Sequence, residues 1–464
     1  MPFNAPLPGL LVAANASHAG KTSTCLALIA ALAQRSLSVQ PAKAGPDFID
    51  ASYLAAFARR PCVNLDLWMH GKRGLMRLLK PLQRDRADLL LVEGAMGLYD
   101  GGRGSSFELA RALNLPVLLL LNASGMGESV AALAQGFLDK AQGKIAFAGL
   151  ILTHTGSSSH SMLLARSLRS IIRRYHLPLL GCLPRAGSPR IASRHLGLVD
   201  IAESLPDLDR QALANWLEQH LTLDPLLKSL KLPAKQNQKP KTESSLWPSI
   251  TVSPKKGRIA IARDRAFSFC YADLPAFFAE EGFAVTFFSP LTDAAPPACD
   301  AIYLPGGYPE LFAHELANND SMIKALQAAH ALQIPIYGEC GGYLYLLQEL
   351  VLGDGTKIPM AGLLPDRAVM QSELAGLGYR QADLCWNLLS QNRRIRVRGH
   401  EFHYARVESR SDSPLWSMQN RQGRPLGPAG STNRYTAGSF LHLAVQGSLS
   451  FWRAWLGLSQ RTPR

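Results

Sequence analysis

Short apolar runs alternate with stretches of helical periodicity throughout the first half of the chain. Apolar runs of this length are typical of strands that are buried on both faces. Their alternation with helices predicts a parallel sheet with helices packed on both sides. The predicted strands of this region are 10–14, 87–92, 116–122, 147–153 and 177–183. A helix is predicted after the first strand, as far as Gln34, and another over 207–230.

This pattern stops near residue 232 and then resumes. The stretch 232–256 is rich in lysine, proline, serine and glutamine, cannot build a hydrophobic core, and is predicted to be a linker. Beyond it the pattern predicts strands 258–262, 284–288, 301–304 and 334–338, a helix at 273–281 and a helical run at 343–350. We therefore expect two α/β domains, 1–231 and 257–464.

Composition fits a folded chain of 464 residues with two or three domains, since 47% of its residues are hydrophobic and 18% are charged. Apolar runs such as 116–121 are far shorter than the roughly 20 residues of a membrane helix, so no membrane partner is expected. The N-terminus lacks the basic segment of a signal peptide. Seven cysteines show neither paired nor zinc-site spacing. We therefore expect a cytoplasmic protein with reduced thiols.

The formal net charge of +14 predicts an anionic partner. Nucleotide phosphates, a polycarboxylate substrate and nucleic acid all meet that requirement. The chain has no zinc finger or RNA-binding signature, and its aromatic residues are not interleaved with a basic patch. The basic segment 166–174 is interpreted as the solvated face of one amphipathic helix.

The strand predicted at 334–338 ends in Gly338, and Cys340 follows it with Gly341 on its other side. A nucleophile at the tip of a strand–turn–helix is the arrangement of a nucleophile elbow, in which neighbouring glycines avoid a clash of Cβ atoms. The helix N-terminus behind Cys340 would lower the pKa of its thiol. The alternative is an inert cysteine buried in a strand–helix turn.

Residues 15–23, Asn-Ala-Ser-His-Ala-Gly-Lys-Thr-Ser, lie between the first strand and its helix. A small-residue loop with Gly-Lys-Thr at the helix start is typical of a phosphate-binding loop. Its backbone N–H groups cradle phosphates, while Lys21 reaches the β/γ oxygens and Thr22 can ligate magnesium. The alternative is a helix start without a ligand. The predicted phosphate contacts are Ser17, Gly20, Lys21, Thr22 and Ser23.

Three acidic residues follow predicted strands or turns of the first domain. Asp47 and Asp50 come after a Gly-Pro turn, and Glu93 follows the buried strand 87–92. Ligands of open α/β sheets gather at the carboxyl ends of the strands, so these acids predict a Mg²⁺ site of Thr22, Asp47 and Glu93. Asp47 and Asp50 are also candidates for orienting the substrate during phosphoryl transfer. For the two aspartates the alternative is a turn with a helix N-cap.

A cysteine nucleophile needs a base and a site for the oxyanion. Gly306 and Gly307 follow the strand 301–304 and could turn backbone N–H groups toward an oxyanion, although a tight turn explains them equally well. Histidine suits the base at neutral pH. His400, His403 and His442 all remain candidates on spacing alone.

Eight short stretches, in this order, resemble the corrin-ring a,c-diamide synthases of cobalamin biosynthesis, the family that acts on cobyrinic or hydrogenobyrinic acid. The resemblance covers nearly the whole chain, and 266–271 looks closer to the hydrogenobyrinate branch. The stretches are 45–50, 92–101, 194–198, 288–291, 304–310, 339–342, 399–403 and 439–442.

The resemblance implies a P-loop domain similar to dethiobiotin synthetase, followed by a class I glutamine amidotransferase domain of α/β fold. It implies that Cys340 attacks the carboxamide of glutamine, that His442 activates the thiol, and that N–H groups near Gly306, Gly307 and Gly341 stabilise the oxyanion.

The same resemblance implies that ATP phosphorylates the a- and c-acetate carboxylates of the corrin, and that ammonia then displaces the phosphate. Lys21 and Thr22 would hold the phosphates and Mg²⁺, assisted by Glu93 and Asp47. The implied partners are ATP, glutamine and a corrin polycarboxylate, without nucleic acid, and a homodimer is considered as the assembly. The basic charge then matches a polyanionic substrate.

The chain departs from the family pattern at four positions. Ala14 stands where the phosphate loop usually begins with glycine, and His18 where a further glycine is usual. Asn122 replaces a common aspartate, and Ala444 lies where the amidotransferase class often has a glutamate. The last departure leaves the third member of the Cys–His site unassigned.

Three other functions stay open at this point. A cobyric-acid-synthase-like enzyme would amidate other corrin side chains, although 45–50 and 194–198 favour the a,c enzyme. A non-catalytic ATP switch protein, similar to the partition ATPases, would not need Cys340, His442 and the glycine pair together. A nucleic-acid binder would use the net positive charge.

Overall fold

The computed structural model describes residues 7–83, 87–185, 209–232, 256–390, 394–408 and 412–460. The chain divides into two compact units, Met1–Pro248 and Ser249–Arg464. That division falls inside the predicted linker, most of which lies outside the described residues, as does the stretch 194–198. No helix among the described residues is long and apolar enough to cross a membrane.

The first unit is built on a seven-stranded sheet in the order β3-β2-β4-β1-β5-β6-β7. Its strands pair in parallel, as the alternation of apolar runs with helices predicted. The strands are β1 Gly9–Ala14, β2 Val39–Ala44, β3 Val63–Leu65, β4 Leu89–Glu93, β5 Val117–Asn122, β6 Phe147–Thr155 and β7 Leu179–Pro184.

Helices cover both faces of this sheet. They are α1 Lys21–Gln34, α2 Ile49–Ala58, α3 Leu67–Leu79, α4 Ser106–Leu113, α5 Val130–Ala141, α6 Ser158–Ser167, α7 Arg169–Tyr175, α8 Arg210–His220 and α9 Asp224–Ser229. In the central strand β1, Leu10 and Val12 belong to one hydrophobic core and Leu11 and Ala13 to the other. A strand buried on both faces has no polar alternation, which is why β1 reads as an unbroken apolar run.

Two single-helix predictions in this unit need correction, although the arginines of the segment 166–174 are exposed as predicted. The helix predicted over 207–230 is two helices, α8 and α9, because Leu221 adopts an extended conformation and bridges to Gly181. The basic segment 166–174 spans the end of α6 and most of α7, which meet at Leu168. Leu168 is fully buried in the core, so packing fixes the break that the charge pattern hides.

The second unit contains a six-stranded sheet in the order β20-β21-β11-β10-β8-β9. The five strands from β21 to β9 pair in parallel, and β20 is antiparallel at the edge. Its strands are β8 Gly257–Ala262, β9 Phe283–Phe288, β10 Ala301–Leu304, β11 Ile336–Glu339, β20 Ser431–Asn433 and β21 Thr436–Ser439.

Two smaller sheets, largely antiparallel, complete this unit in the orders β13-β12-β14-β17 and β19-β18-β15-β16-β22. Their strands are β12 Glu349–Val351, β13 Lys357–Pro359, β14 Arg367–Met370, β15 Gly376–Leu384, β16 Arg396–His403, β17 Ala405–Glu408, β18 Trp416–Asn420, β19 Pro425–Ala429 and β22 His442–Leu443. The helices are α10 Asp273–Glu280, α11 Ala313–Asn318, α12 Asp320–Ala331, α13 Gly341–Leu346, α14 Asn387–Ser390 and α15 Leu449–Ser459.

The helical run predicted over 343–350 is also wrong at its end. Helix α13 stops at Leu346, and β12 begins at Glu349. Leu350 is completely buried and pairs with Ile358 on one side and Ala368 on the other. Strand pairing with distant residues therefore overrides the local helical periodicity of this stretch.

Candidate active sites

The loop after β1 leads directly into α1, at the carboxyl edge of the first sheet. Gly20 precedes the helix with φ 83°, and His18 has φ 56°, so both adopt left-handed conformations. Glycine adopts this conformation without strain, which explains why a glycine is usual where His18 stands. Asn15, near the missing first glycine, accepts a hydrogen bond from the backbone N–H of Asn122 at 2.8 Å. This bond joins the loop to the end of β5.

The first turn of α1 brings the predicted phosphate residues together with the acids. Lys21 Nζ donates to the carbonyl oxygen of Ala16 at 3.1 Å, across the loop. Thr22 Oγ1 donates to Glu93 Oε1 at 2.7 Å and lies 3.3 Å from Asp50 Oδ1. Ser17 is exposed in the loop, and Ser23 is half-buried in the first helical turn. The structure therefore joins the end of β4, the start of α1 and the start of α2 at one place.

Lys43 is the centre of this site, and the sequence analysis missed it. Its side chain is 3% exposed, and Nζ lies 2.6 Å from Asp50 Oδ2 and 2.9 Å from Glu93 Oε1. Burial alone would lower the pKa of Lys43, but the carboxylates of Glu93 and Asp50 outweigh burial and raise it. Burial opposes ionisation of Asp50, yet the charge and hydrogen bond of Lys43 hold its pKa below the usual value.

Two other charged groups of the site are shifted mainly by burial. Burial raises the pKa of Glu93, although Lys43 opposes that shift. Burial lowers the pKa of Lys21, and the neighbouring charge of Lys43 lowers it further. Two lysines and two acids thus balance each other's charge in one largely buried site.

Asp47 lies beside these groups but has a structural role of its own. Its Oδ1 accepts hydrogen bonds from the backbone N–H groups of Ile49 and Asp50, at 2.8 and 3.1 Å, and so caps the start of α2. Burial raises the pKa of Asp47 to about 6, with the charge of Asp50 adding to the shift. The N-cap that was the alternative interpretation is present, and the side chains of Asp47 and Asp50 are also hydrogen-bonded to each other.

The acids also offer a place for Mg²⁺. Glu93 Oε2 is buried and has no hydrogen-bond partner among the described residues, and Thr22 Oγ1 lies against the other oxygen of the same carboxylate. Within the described ranges no group of three or more His, Cys, Asp and Glu side chains could enclose a metal by itself. Mg²⁺ commonly takes one or two protein ligands and completes its shell with phosphates and water, so this donor set fits it.

The second site is centred on Cys340, at the turn between β11 and α13. Cys340 has φ 48° and ψ −103°, a strained conformation that places the residue outside both the strand and the helix. Its backbone N–H donates to Ser439 O of β21 at 2.8 Å, which holds the turn on the sheet. Gly342 approaches Leu304 so closely that a Cβ would lie 2.0 Å from its carbonyl oxygen. The glycine requirement of a nucleophile elbow is therefore met.

His442 and Cys340 meet at Gly306. A Cβ on Gly306 would lie 2.5 Å from His442 Cε1 and 3.3 Å from Cys340 Cβ, so both side chains pack against this glycine. Burial lowers the pKa of His442 to about 4, which keeps the imidazole neutral and able to accept a proton. Burial also raises the pKa of the Cys340 thiol, with the nearby carboxyl of Glu310 adding to the shift. Thiolate formation here requires a proton acceptor.

The predicted oxyanion residues lie beside the same thiol. The backbone N–H of Gly341 interacts with the sulfur of Cys340 and opposes the rise of its pKa. Gly341 and Gly307 are in close contact, since a Cβ on Gly341 would lie 2.9 Å from the backbone nitrogen of Gly307. The N–H of Gly341 is thus at the thiol, and the backbone nitrogen of Gly307 lies beside Gly341, where an oxyanion site is predicted.

The other two candidate histidines occupy different environments. His400 pairs with His442 in the β16–β22 ladder and packs edge-to-face with Tyr379. His403 stacks on Phe440, with ring centroids 3.7 Å apart, and its Nδ1 lies 2.8 Å from Ala405 O. Neither of these contacts brings the side chain against Gly306, so His442 is the histidine that the geometry favours as the base.

A cavity of about 600 Å³ lies beside His403 and Phe440. An ion pair lines it, in which Arg380 Nε donates to Glu401 Oε2 at 2.7 Å, with side-chain exposures of 14% and 7%. Tyr343, from the helix behind Cys340, also lines the cavity. Arg406 and Asp412 also line the cavity, so it presents both cations and anions, as an amino-acid zwitterion requires.

Two features of the sequence could have revealed the missed residues. Lys43 lies within the otherwise apolar end of a strand, and Glu339 lies at the end of the apolar run that precedes Cys340. A charged residue in a fully buried strand is rare unless it has a partner, so both positions deserved a search for one. Arg380 and Glu401 carry no comparable signal, because charged residues are usual in half-exposed antiparallel strands.

Comparison with known proteins relates both sites to described families. Residues 10–199 match the CobQ/CobB/MinD/ParA nucleotide binding domain, and residues 258–449 match the CobB/CobQ-like glutamine amidotransferase domain. Hydrogenobyrinate a,c-diamide synthase of Rhodobacter capsulatus is 40% identical over 444 residues, which cover 94% of this chain and 98% of the relative. The proteins of that name from Brucella abortus and Agrobacterium fabrum are each 37% identical over 449 residues, which cover 94% of this chain. The match covers 98% of the Brucella protein and 99% of the Agrobacterium protein.

Proposed function

Since this chain belongs to the family of hydrogenobyrinate a,c-diamide synthases, we propose that it amidates the a- and c-acetate carboxylates of hydrogenobyrinate in cobalamin biosynthesis. Glutamine supplies the nitrogen, and ATP activates each carboxylate. The observation that carries this proposal is similarity across both domains and nearly the full length of the relatives, together with a Cys–His site in the second unit.

The second unit would release ammonia from glutamine. His442 takes the proton of Cys340, and the thiolate sulfur forms a bond to the carboxamide carbon of glutamine. The resulting oxyanion faces the N–H groups of Gly341 and Gly307. When the tetrahedral intermediate collapses, the C–N bond breaks, the proton on His442 goes to the leaving nitrogen, and ammonia departs from a thioester. Water then hydrolyses the thioester to glutamate and restores the thiol.

The cavity lined by Tyr343, in the helix that follows Cys340, gives the glutamine a place to bind. Arg380 is suited to the α-carboxylate of glutamine, and Glu401 to its α-ammonium group. The side-chain carboxamide would then extend toward Cys340. Because the two residues are paired with each other at 2.7 Å, the site is already arranged before glutamine arrives.

The first unit would use the ammonia to form an amide. A carboxylate resists attack by ammonia, whereas an acyl phosphate has a good leaving group. ATP therefore transfers its γ-phosphoryl group to a substrate carboxylate, and ammonia displaces inorganic phosphate. Ser17, Gly20, Lys21 and Ser23 surround the phosphates, and the charge of Lys43 lies beside them.

Thr22, Glu93 and Asp47 are the residues that would hold Mg²⁺. When bound, Mg²⁺ neutralises phosphate charge and helps the leaving group to depart. Asp50, which Lys43 keeps ionised, is positioned to orient the substrate near the phosphates. The net charge of +14 suits a substrate with many carboxylates, so no nucleic-acid partner is needed to explain it. All seven cysteines are free thiols, which suits an enzyme of the reducing cytoplasm.

The test is to incubate the purified protein with ATP, Mg²⁺ and glutamine, with hydrogenobyrinic acid and cobyrinic acid offered separately. Mass spectrometry counts the amides on each product. We expect two amides on hydrogenobyrinic acid and none, or far slower formation, on cobyrinic acid. A preference for cobyrinic acid would mean that the natural substrate carries cobalt.

Two other results would overturn the proposed reaction itself. Four further amides on an a,c-diamide, with none on either free acid, would assign the enzyme to the later amidation. ATP hydrolysis without amide formation on any corrin would favour the ATP switch protein.

A further inference from the structure

We propose that Glu339, the residue immediately before the nucleophile, positions His442 for proton transfer with Cys340. In this role it replaces the acid that is often found two residues after the histidine, where this chain has Ala444. The inference rests on the proposed glutaminase activity of the second unit. It assigns Glu339 as a positioning residue, since it acts through His442 and not on the substrate.

The geometry has the order that a nucleophile, a base and an orienting acid require. Glu339 Oε2 lies 3.7 Å from His442 Nδ1, with side-chain exposures of 2% and 4%. On another side of the imidazole, Cε1 packs against Gly306 beside Cys340. One side of the ring therefore faces a buried carboxyl group, and another packs against the glycine that Cys340 also contacts.

Two hydrogen bonds hold the carboxyl group of Glu339 in this place. Tyr303 OH donates to Oε2 at 3.0 Å, and the backbone N–H of Leu443 donates to Oε1 at 3.3 Å. Leu443 is the residue after His442, so the carboxyl group binds the strand that carries the base. One bond thus fixes Glu339 to the central sheet through β10, and the other fixes it to β22.

The strand geometry explains why Glu339 points this way. Successive side chains of a strand alternate between faces, so Glu339 shares a face with Tyr337. Tyr337 packs with Phe451, Trp452 and Trp455 in an aromatic core. A carboxyl group at the edge of such a core costs free energy unless it has polar partners, and those partners here are Tyr303, Leu443 and His442.

The chemical requirement is for a particular tautomer of His442. To remove the proton of Cys340, the imidazole must carry its own proton on Nδ1 and keep Nε2 as the acceptor. An ionised carboxylate 3.7 Å from Nδ1 favours that tautomer and stabilises the imidazolium that forms. Of the other carboxyl groups near Cys340, Glu401 pairs with Arg380, and Glu310 lies near the thiol itself.

A pH readout distinguishes this role from a structural one. Burial raises the pKa of Glu339 to about 8, while the hydrogen bonds from Tyr303 and Leu443 oppose the shift. Below that pH Glu339 is protonated and cannot accept from Nδ1, so activity should rise as pH increases through about 8.

The titratable groups around Glu339 are His442 from β22, Tyr303 from β10, Tyr337 from its own strand, Cys340 from the elbow and Cys270 from the loop after β8. Among these, His442 titrates lower, and burial keeps the pKa values of the tyrosines and cysteines higher.

The test is the variant Glu339→Gln in the full-length protein, with glutaminase activity measured from pH 6 to 10. The backbone N–H of Leu443 can only donate, so it keeps the amide oxygen at the Oε1 position. The amide NH₂ then faces His442 Nδ1 and selects the wrong tautomer. We expect kcat for glutamine to fall roughly 10²- to 10⁴-fold and the rise near pH 8 to disappear. Glu339→Asp keeps the charge and should recover part of the loss.

Two controls separate this inference from misfolding and from the proposed function. Synthesis with free ammonia reports the first unit and should stay within about twofold of wild type in Glu339→Gln, since that route does not use Cys340. Asp366→Asn changes another fully buried carboxyl group of the second unit, one bonded to Ser431, and should keep the pH profile of the wild type.

Glutaminase activity and a pH profile that are unchanged in Glu339→Gln would overturn the inference while leaving the proposed function intact. A lowered kcat with an unchanged pH profile, matched by Asp366→Asn, would also overturn it, because the role would then be structural. Absence of glutaminase activity in the wild type would instead refute the proposed function itself.

Discussion

Glu93 and Glu339 end parallel strands in different units, and both are almost completely buried, yet their partners differ in kind. Glu93 lies 2.9 Å from the ammonium group of Lys43, a permanent cation. Glu339 lies 3.7 Å from an imidazole and accepts from a tyrosine hydroxyl, so its neighbours are groups that can be neutral. Burial raises the pKa of both carboxyl groups, but only at Glu93 does a fixed positive charge oppose it.

This difference corresponds to the chemistry proposed for each site. Phosphoryl transfer needs charges that stay in place while phosphate charge moves, so a fixed ion pair is suitable. Attack by a thiol needs groups that exchange one proton and return to their starting state, so a neutral imidazole beside a carboxyl group is suitable. A glutamate at a strand end can therefore serve either chemistry, and its partner determines which.

The largest expected effect separates the two sites completely. Cys340→Ala removes the nucleophile and should lower glutamine-dependent synthesis at least about 10⁴-fold. Synthesis with free ammonia should remain near the wild-type rate, because the carboxylate-activating site is untouched. Product formation with each nitrogen source, followed by mass spectrometry, checks both statements. Loss of the ammonia-dependent rate in a variant of unchanged thermal stability would contradict the assignment of two separate chemistries.

Removing the positive charge of Lys43 should impair the first site and leave the second site active. Lys43→Met leaves Glu93 and Asp50 buried without their positive partner, which should cost about 3–5 kcal/mol of unfolding free energy. Synthesis should fall with glutamine and with ammonia alike, whereas glutamine hydrolysis by Cys340 should persist. Denaturant titration and the two assays provide the measurements.

A compensating variant shows whether the charge causes this loss. Adding Glu93→Gln to Lys43→Met removes the orphaned carboxylate and should restore part of the stability, although not the synthesis. If the double variant is as unstable as Lys43→Met or less stable, the ion pair is not the source of the effect.

Displacing the imidazole should have a smaller effect that is confined to the second site. In Gly306→Ala the new methyl group would lie 2.5 Å from His442 Cε1, so the ring must move away from Cys340. A displacement of this kind should lower kcat for glutamine about 10²-fold, and ammonia-dependent synthesis should not change. Gly353→Ala, at an open position of the same unit where the backbone is not left-handed, is a control for the general cost of replacing glycine. Equal glutaminase activity in both variants would show that His442 does not need its position against Gly306.

A difference between local and distant contacts also explains what could be predicted from the sequence. The parallel sheet of the first unit follows from its apolar runs, because strands buried on both faces leave a local signal. The elbow at Cys340 also leaves one, because the strand, the cysteine, its glycines and the helix follow one another in the sequence, although Gly341 and Gly342 contact the distant residues Gly307 and Leu304. Lys43 and Glu339 were missed because their roles depend on Glu93 and His442, which are 50 and 103 positions away and are brought near by strand order alone.

Elements that depend on distant pairing escaped prediction for the same physical reason. Glu349–Val351 continues a helical pattern in the sequence, but its neighbours in a small sheet make it a strand. The antiparallel sheets between β12 and β22 carry polar and charged side chains that obscure the alternation of buried positions. Local periodicity identifies a helix or a strand only when its surroundings stay the same along its whole length.

The smallest expected effect concerns Asp47, which combines a structural role with a proposed one. Asp47→Asn keeps an oxygen that can cap α2, so the free energy of unfolding should change by less than about 1 kcal/mol. It removes the charge proposed to assist Thr22 and Glu93 in holding Mg²⁺. We therefore expect the Mg²⁺ concentration for half-maximal synthesis to rise about tenfold, with little change in maximal rate.

Asp66→Asn is the matched control, because Asp66 caps α3 through the same pattern, with Oδ1 accepting from the N–H groups of Trp68 and Met69 at 2.8 Å. It should cost similar stability without altering the Mg²⁺ dependence. If the two variants show the same Mg²⁺ dependence, Asp47 is a helix cap alone, and Thr22 and Glu93 are the protein ligands that remain. If only Asp47→Asn requires more Mg²⁺, one carboxylate both starts a helix and serves the phosphate site.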